Sequence, residues 1–143
     1  MIFLLDTNVL IALASETHVH HAKTQDWFAR KGSRGWATCP ITQARFVRIM
    51  SNPGMSPYAL PPDHAASMLH SNMQHPHHHH WPDEITFPEA LDLLGVHLRG
   101  HRQVTDIYLM ALAAHKKGRL ATLDSSIPLI AAENRRSKIV EFI

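Results

Sequence analysis

The sequence runs to 143 residues, 45% of them hydrophobic, which suits one globular domain and excludes both a disordered tail and two independent cores. Formal charge is only +2, so no strong global field marks the chain as a nucleic-acid binder, and thirteen histidines add positive charge only below neutral pH. Cys39 is the single cysteine, which rules out an intrachain disulfide and points to a reducing compartment.

The chain opens on a short apolar run, Ile2 to Leu5, that stops at Asp6. Its start looks superficially like a signal peptide, but it has no basic region, and Asp6, Thr7 and Asn8 interrupt it. No stretch approaches the roughly 18 apolar residues of a membrane span, so a soluble cytoplasmic protein is expected. A wholly apolar run of this length reads as a strand buried on both faces, as in the centre of a parallel sheet.

A short helical pattern covers Val9 to Ala14, and a second helix is predicted over about His18 to Arg30 with Ala22, Trp27 and Phe28 inward. Gly32 to Gly35 ends it, and Trp36 to Cys39 makes a second strand. Ile41 to Ser51 has the apolar spacing of a helix, broken by Asn52-Pro53-Gly54. A further helix is predicted over Pro61 to Met73, then a loop over His75 to Asp83 and a short strand over Ile85 to Phe87. The clearest helix has Thr105 as its cap, runs from Asp106 to Lys117 and terminates at Gly118. Strands follow at Arg119 to Asp124 and Ile139 to Ile143. Strands alternating with helices predict an α/β layered sheet with right-handed crossovers.

In such sheets, sites form outside the carboxyl ends of the strands. Asp6 and Asp124 each follow an apolar strand directly, and Asp106 sits in the first turn of a helix, where its charge gains roughly 0.3–1 kcal/mol. Clustered carboxylates repel unless a cation lies among them, and oxygen ligands favour Mg²⁺ or Mn²⁺ over Zn²⁺. A metal so held suits phosphodiester hydrolysis, with Thr7, Asn8 and Thr105 orienting the carboxylates through hydrogen bonds. The plainer alternative is that each aspartate merely caps a helix or a turn.

Asp6-Thr7-Asn8-Val9-Leu10 after a strand, Thr105-Asp106-Ile107-Tyr108-Leu109 opening a helix, and Leu120 to Asp124 together resemble the PIN-domain ribonucleases. Gly35–Thr42 (GWATCPIT), Phe46–Pro53 (FVRIMSNP), His78–Thr86 (HHHWPDEIT) and Gly100–Asp106 (GHRQVTD) resemble the VapC toxin branch. The resemblance runs almost from end to end and implies a single PIN domain over residues 1–143, a Rossmann-like α/β/α sandwich with a mostly parallel sheet. It also implies Mg²⁺-dependent endoribonuclease activity and a homodimer neutralised by a small antitoxin in a higher-order complex. Asp6, Asp106 and Asp124 fall on the family's acidic positions, Asp6 and Asp106 on those usually assigned to the metal.

One position departs from the pattern. Gln43 stands where the family usually carries a glutamate at the start of the third helix. An amide can ligate through its carbonyl oxygen, but it supplies neither negative charge nor a base, which predicts weaker metal binding. Arg45 and Arg102 are candidate contacts to RNA phosphate, and the alternative is that they are ordinary solvated charges. His75, His77, His78, His79 and His80 read as a solvated loop anchored by Trp81 rather than a metal site, because no regularly spaced partner ligands accompany them. Three functions compete: an endoribonuclease toxin, an attenuated PIN domain that binds RNA or an antitoxin, and a histidine-rich metal-storage or sensing protein.

Overall fold

A computed structural model describes residues 1–143. Five parallel strands form one sheet: β1 (Phe3–Leu5), β2 (Trp36–Thr38), β3 (His78–His80), β4 (Arg119–Thr122) and β5 (Val140–Phe142), in the order β3-β2-β1-β4-β5. Seven α-helices surround it: α1 (Thr7–Ala14), α2 (His21–Arg30), α3 (Pro40–Met50), α4 (Pro62–Met73), α5 (Phe87–Leu94), α6 (Val104–His115) and α7 (Ser126–Glu133). The predicted α/β architecture is therefore the observed one. The chain winds outward from β1 through β2 to β3, then returns to the other flank of β1 to form β4 and β5. The switch point lies between β1 and β4, where a crevice opens at the strands' carboxyl ends.

Alternation along β1 divides the core. Leu4 packs into a large cluster that includes Leu94, Ile107, Leu112, Leu120 and Ile127, while Phe3 and Leu5 join Val9, Leu10, Trp27 and Phe46 on the opposite face. All three β1 residues are buried, as the uninterrupted apolar run predicts. Helix α6 is buried from Ile107 to Ala113 because it contacts α5 as well as β1 and β4.

Several expectations need correction. The predicted strand at Ile85 to Phe87 is instead the entry to α5: Thr86 Oγ1 accepts from the Glu89 backbone N–H at 3.2 Å, and Glu89 Oε2 accepts from the Thr86 N–H at 2.8 Å. This reciprocal capping box outweighs the β preference of Ile85 and Phe87. The third strand lies within the predicted loop, where Trp36, Ala37 and Thr38 pair with His78, His79 and His80. Polar side chains give such a strand no hydrophobic signature, and the ladder to β2 decides its conformation. Ala22 is exposed rather than inward, because α2 begins at His21 and turns Thr24 and Trp27 to the core.

Thr105 is not the cap of α6; the helix starts at Val104, two residues before the predicted Asp106, with Gln103 at the cap position. Its other end comes at His115, two residues before the predicted Lys117. Lys117, not Gly118, takes the left-handed conformation (φ 57°), while the Gly118 N–H bonds back to the Ala113 carbonyl at 2.8 Å. Gly118 is required by space: a Cβ there would lie 2.5 Å from the Ile2 carbonyl oxygen and 2.7 Å from the Trp81 ring.

Candidate active site at the sheet switch point

Asp6 ends β1 and caps α1, so one residue serves as both strand terminus and helix cap. It is only 4% exposed. Its Oδ1 accepts from the Thr7 backbone N–H at 2.7 Å; its Oδ2 accepts from Thr122 Oγ1 at 2.8 Å and from Asn8 Nδ2 at 3.2 Å. Asn8 also accepts the Leu123 N–H at 3.1 Å, tying the β1 and β4 loops together. Of the three predicted neighbours, Asn8 lies at the carboxylate through its side chain and Thr7 through its backbone N–H alone, and Asp6 is at once the cap of the plainer reading and a buried acid. Thr122, which supplies the donation across the switch point, was not anticipated. Its position two residues before Asp124, at the end of the strand, is the only signal it carries in sequence.

Asp6, Asp106 and Asp124 all line one cleft of about 580 Å³, together with Thr7, Asn8 and Arg45. The far wall comes from Ile49 and Met50 of α3 and from the segment Met55 to Tyr58. Asp124 is exposed, and its Oδ1 accepts from the Ser126 N–H and hydroxyl at 2.9 and 2.7 Å. Asp106 is half-buried, and its carboxylate has no hydrogen-bond donor in the protein. Arg102 is exposed on the turn before α6, and neither it, Thr105 nor Gln43 lines the cleft. The Gln43 amide instead donates to Thr38 Oγ1 at 2.9 Å and meets His80 Nδ1 at 3.0 Å.

The electrostatics follow from this placement. Burial, then the charges of Asp6 and Asp124, push the Asp106 carboxyl up to about 6, opposed by Arg45. Burial also raises Asp6, against its hydrogen bonds from Thr122 and Thr7 and the charge of Arg45. Only two buried side-chain polar atoms in the protein lack a partner, Thr7 Oγ1 and Arg45 Nη1, and both residues line this cleft. Orphan buried groups of this kind mark a place where water, an ion or a ligand is normally bound.

No group of three or more histidine, cysteine, aspartate or glutamate side chains closes into a metal cage anywhere in the chain. The cleft nevertheless fits a hard divalent cation, which keeps several waters and takes one or two carboxylates. Asp106 offers unbonded oxygens, and the mutual repulsion of the acids is relieved by positive charge.

His78 to His80 form β3 rather than a loop, while His77, His79 and His80 are exposed as expected. The His78 ring packs edge-on against Trp36 at 4.6 Å, and His75 contacts both Trp36 and Phe28. Trp36 Nε1 donates to His75 Nδ1 at 3.3 Å.

The PIN domain family model matches residues 3–133. Ribonuclease VapC39 of Mycobacterium tuberculosis is 41% identical over the whole of both chains. Ribonuclease VapC38 of the same organism is 36% identical, covering 95% of this chain and 94% of its own. Ribonuclease VapC29, also from M. tuberculosis, is 42% identical over 89% of each. Among solved structures, VapBC2 from Rickettsia felis, crystallised with a DNA fragment from its promoter, aligns with a TM-score of 0.60 at 15% identity over 99% of this chain and 98% of its own. FitAcB from Neisseria gonorrhoeae gives 0.59 at 16% over 100% of this chain and 97% of its own. At these identities the structural likeness concerns the fold alone.

Proposed function

Because the chain belongs to the PIN-domain family, in its VapC branch, we propose that it is a metal-dependent endoribonuclease, the toxin of a toxin–antitoxin pair. The observation that carries this reading is the cleft at the switch point. Three carboxylates and both of the protein's unpartnered buried polar atoms belong to residues on one surface. Bound Mg²⁺ or Mn²⁺ would polarise a phosphoryl oxygen and acidify water. Asp6 and Asp106 are the proposed ligands, with Asp124 adding charge from the exposed rim.

The protein's own groups divide the remaining work. Thr122, Asn8 and the Thr7 N–H hold the Asp6 carboxylate in one orientation, which fixes the direction of its remaining lone pairs. Arg45 brings a positive charge to the cleft, where it offsets the acids and suits a phosphate group. Arg102, exposed before α6, would meet the RNA backbone farther out. Residues 1–143 act as one domain in this reading, as a cytoplasmic homodimer restrained in a higher-order complex by a small antitoxin whose tail enters the cleft. No helix is long and apolar enough to cross a membrane.

The test is cleavage of structured RNA by the purified chain with Mg²⁺ or Mn²⁺. Activity should disappear with EDTA and in Asp6→Asn; full activity in that variant would sink the assignment. One observation favours a second reading, an attenuated PIN domain that binds RNA or an antitoxin: Gln43 is engaged with Thr38 and His80 and brings no fourth acid to the cleft. A large gain in cleavage by Gln43→Glu would support attenuation, whereas equal or lower cleavage counts against it.

A further inference from the structure

The carboxyl edge of the sheet carries a second polar constellation, outside the acidic cleft. Thr38 at the end of β2 stands beside His80 at the end of β3, and Gln43 reaches down from the first turn of α3 between them. Thr38 Oγ1 also lies 2.8 Å from His78 Nε2. The four side chains form one continuous chain of hydrogen bonds.

At its inner end the His78 ring packs edge-on against Trp36, with ring centroids 4.6 Å apart. Burial, then the neighbouring His79 and His80, hold His78 below the ordinary histidine range. Thr38 Oγ1 accepts one N–H of the Gln43 amide at 2.9 Å and bonds the His78 ring on its other side. The second amide N–H goes to His80 Nδ1. Since an amide nitrogen cannot accept, Nδ1 of His80 is bare and its ring proton sits on Nε2. The His80 side chain is exposed, and Nε2 has no partner in the protein.

We infer that Gln43 is a positioning residue that fixes His80 as an Nε2–H donor on the carboxyl edge, where it binds an acceptor oxygen of the RNA strand leaving the acidic cleft. This rests on the ribonuclease reading. β3 lies two strands from β1, about 10 Å away along the edge that carries Asp6. A donor there meets the chain beyond the scissile position and contributes to binding rather than chemistry. The amide at position 43 has a specific task in this arrangement. A glutamate would accept from both Thr38 and His80, which moves the His80 proton to Nδ1.

Two measurements test this. Long-range proton–nitrogen correlation spectra should show His80 of the wild type as the Nε2–H tautomer at pH 7, and in Gln43→Glu as the Nδ1–H or doubly protonated ring. An unchanged Nε2–H tautomer in the variant overturns the relay. In parallel, binding of a short single-stranded RNA without divalent metal is followed by fluorescence anisotropy. His80→Ala should weaken it by about three- to tenfold, the contribution of one hydrogen bond, and His80→Gln, which keeps a donor near Nε2, should restore most of it. If Asp6→Asn abolishes cleavage but His80→Ala binds RNA as the wild type does, the inference alone falls. If Asp6→Asn cleaves as well as the wild type, the ribonuclease reading falls and the inference with it.

Discussion

Two polar regions lie along the same edge of the sheet, and they are built on opposite plans. Between β1 and β4, acidic groups are drawn together against their mutual repulsion, Asp106 is pushed up to about 6, and two buried polar atoms are left without partners. Between β2 and β3, the uncharged Thr38 and Gln43 link two histidines in one chain of hydrogen bonds. In each region a threonine at a strand end is central: Thr122 donates to a carboxylate, Thr38 bonds an imidazole. The first region holds buried polar atoms without partners, whereas the second closes its internal hydrogen bonds and leaves only the exposed Nε2 of His80 for a ligand.

The largest effect expected from breaking this contrast is on activity. Asp6→Asn should lower metal-dependent RNA cleavage by about a hundredfold or more, since even the groups that orient a metal ligand are worth 10–100-fold. A matched pair of substitutions then compares the two threonines by urea denaturation of the metal-free protein. Thr122→Val deprives a buried carboxylate of a donor and should cost about 2 kcal/mol; Thr38→Val breaks a neutral chain and should cost about 1 kcal/mol. Equal losses would mean that the charge of Asp6 does not distinguish the regions.

Asp106 tests the frustration itself, and here the expected change is a gain. Its carboxyl titrates higher in the folded protein than in the unfolded chain, so the fold is favoured by the protonated form. That contribution is complete below about pH 4 and is lost as pH rises through about 6. Asp106→Asn should therefore stabilise the metal-free protein at pH 7, by about 1 kcal/mol once solvent screening of a half-exposed group is allowed for, and should bring no gain at pH 4. It should also diminish any rise in melting temperature produced by Mn²⁺. Smallest of all, Arg102→Ala should leave stability unchanged and reduce the salt dependence of RNA binding by about one phosphate contact.

How much of this could be read from residues alone differs between the two regions. Ile2 to Leu5 followed by Asp6 declared a central buried strand and an acid at its end, because uninterrupted apolar character is the mark of a strand covered on both faces. Asp106 and Asp124 were legible for the same reason: each sits at a boundary that hydrophobic periodicity makes visible. The α5 boundary was equally available in Thr86 and Glu89, but two β-prone residues beside the cap obscured it. A run of histidines has no period, so β3 had no signature, and only its ladder to β2 decides that it is a strand.

The sequence by itself determined the α/β character of the fold, the three acidic positions and the departure at Gln43, since these depend on local pattern and residue chemistry. Tertiary structure decided the rest. It set the crossing of the chain from β3 back to β4 that brings Asp6 beside Thr122, and the close approach of Ile2 and Trp81 that leaves room only for glycine at 118. It also decided that Gln43 turns away from the acids toward Thr38 and His80. These are contacts between segments far apart in the chain. Their geometry comes from packing the layers together, which no local pattern encodes.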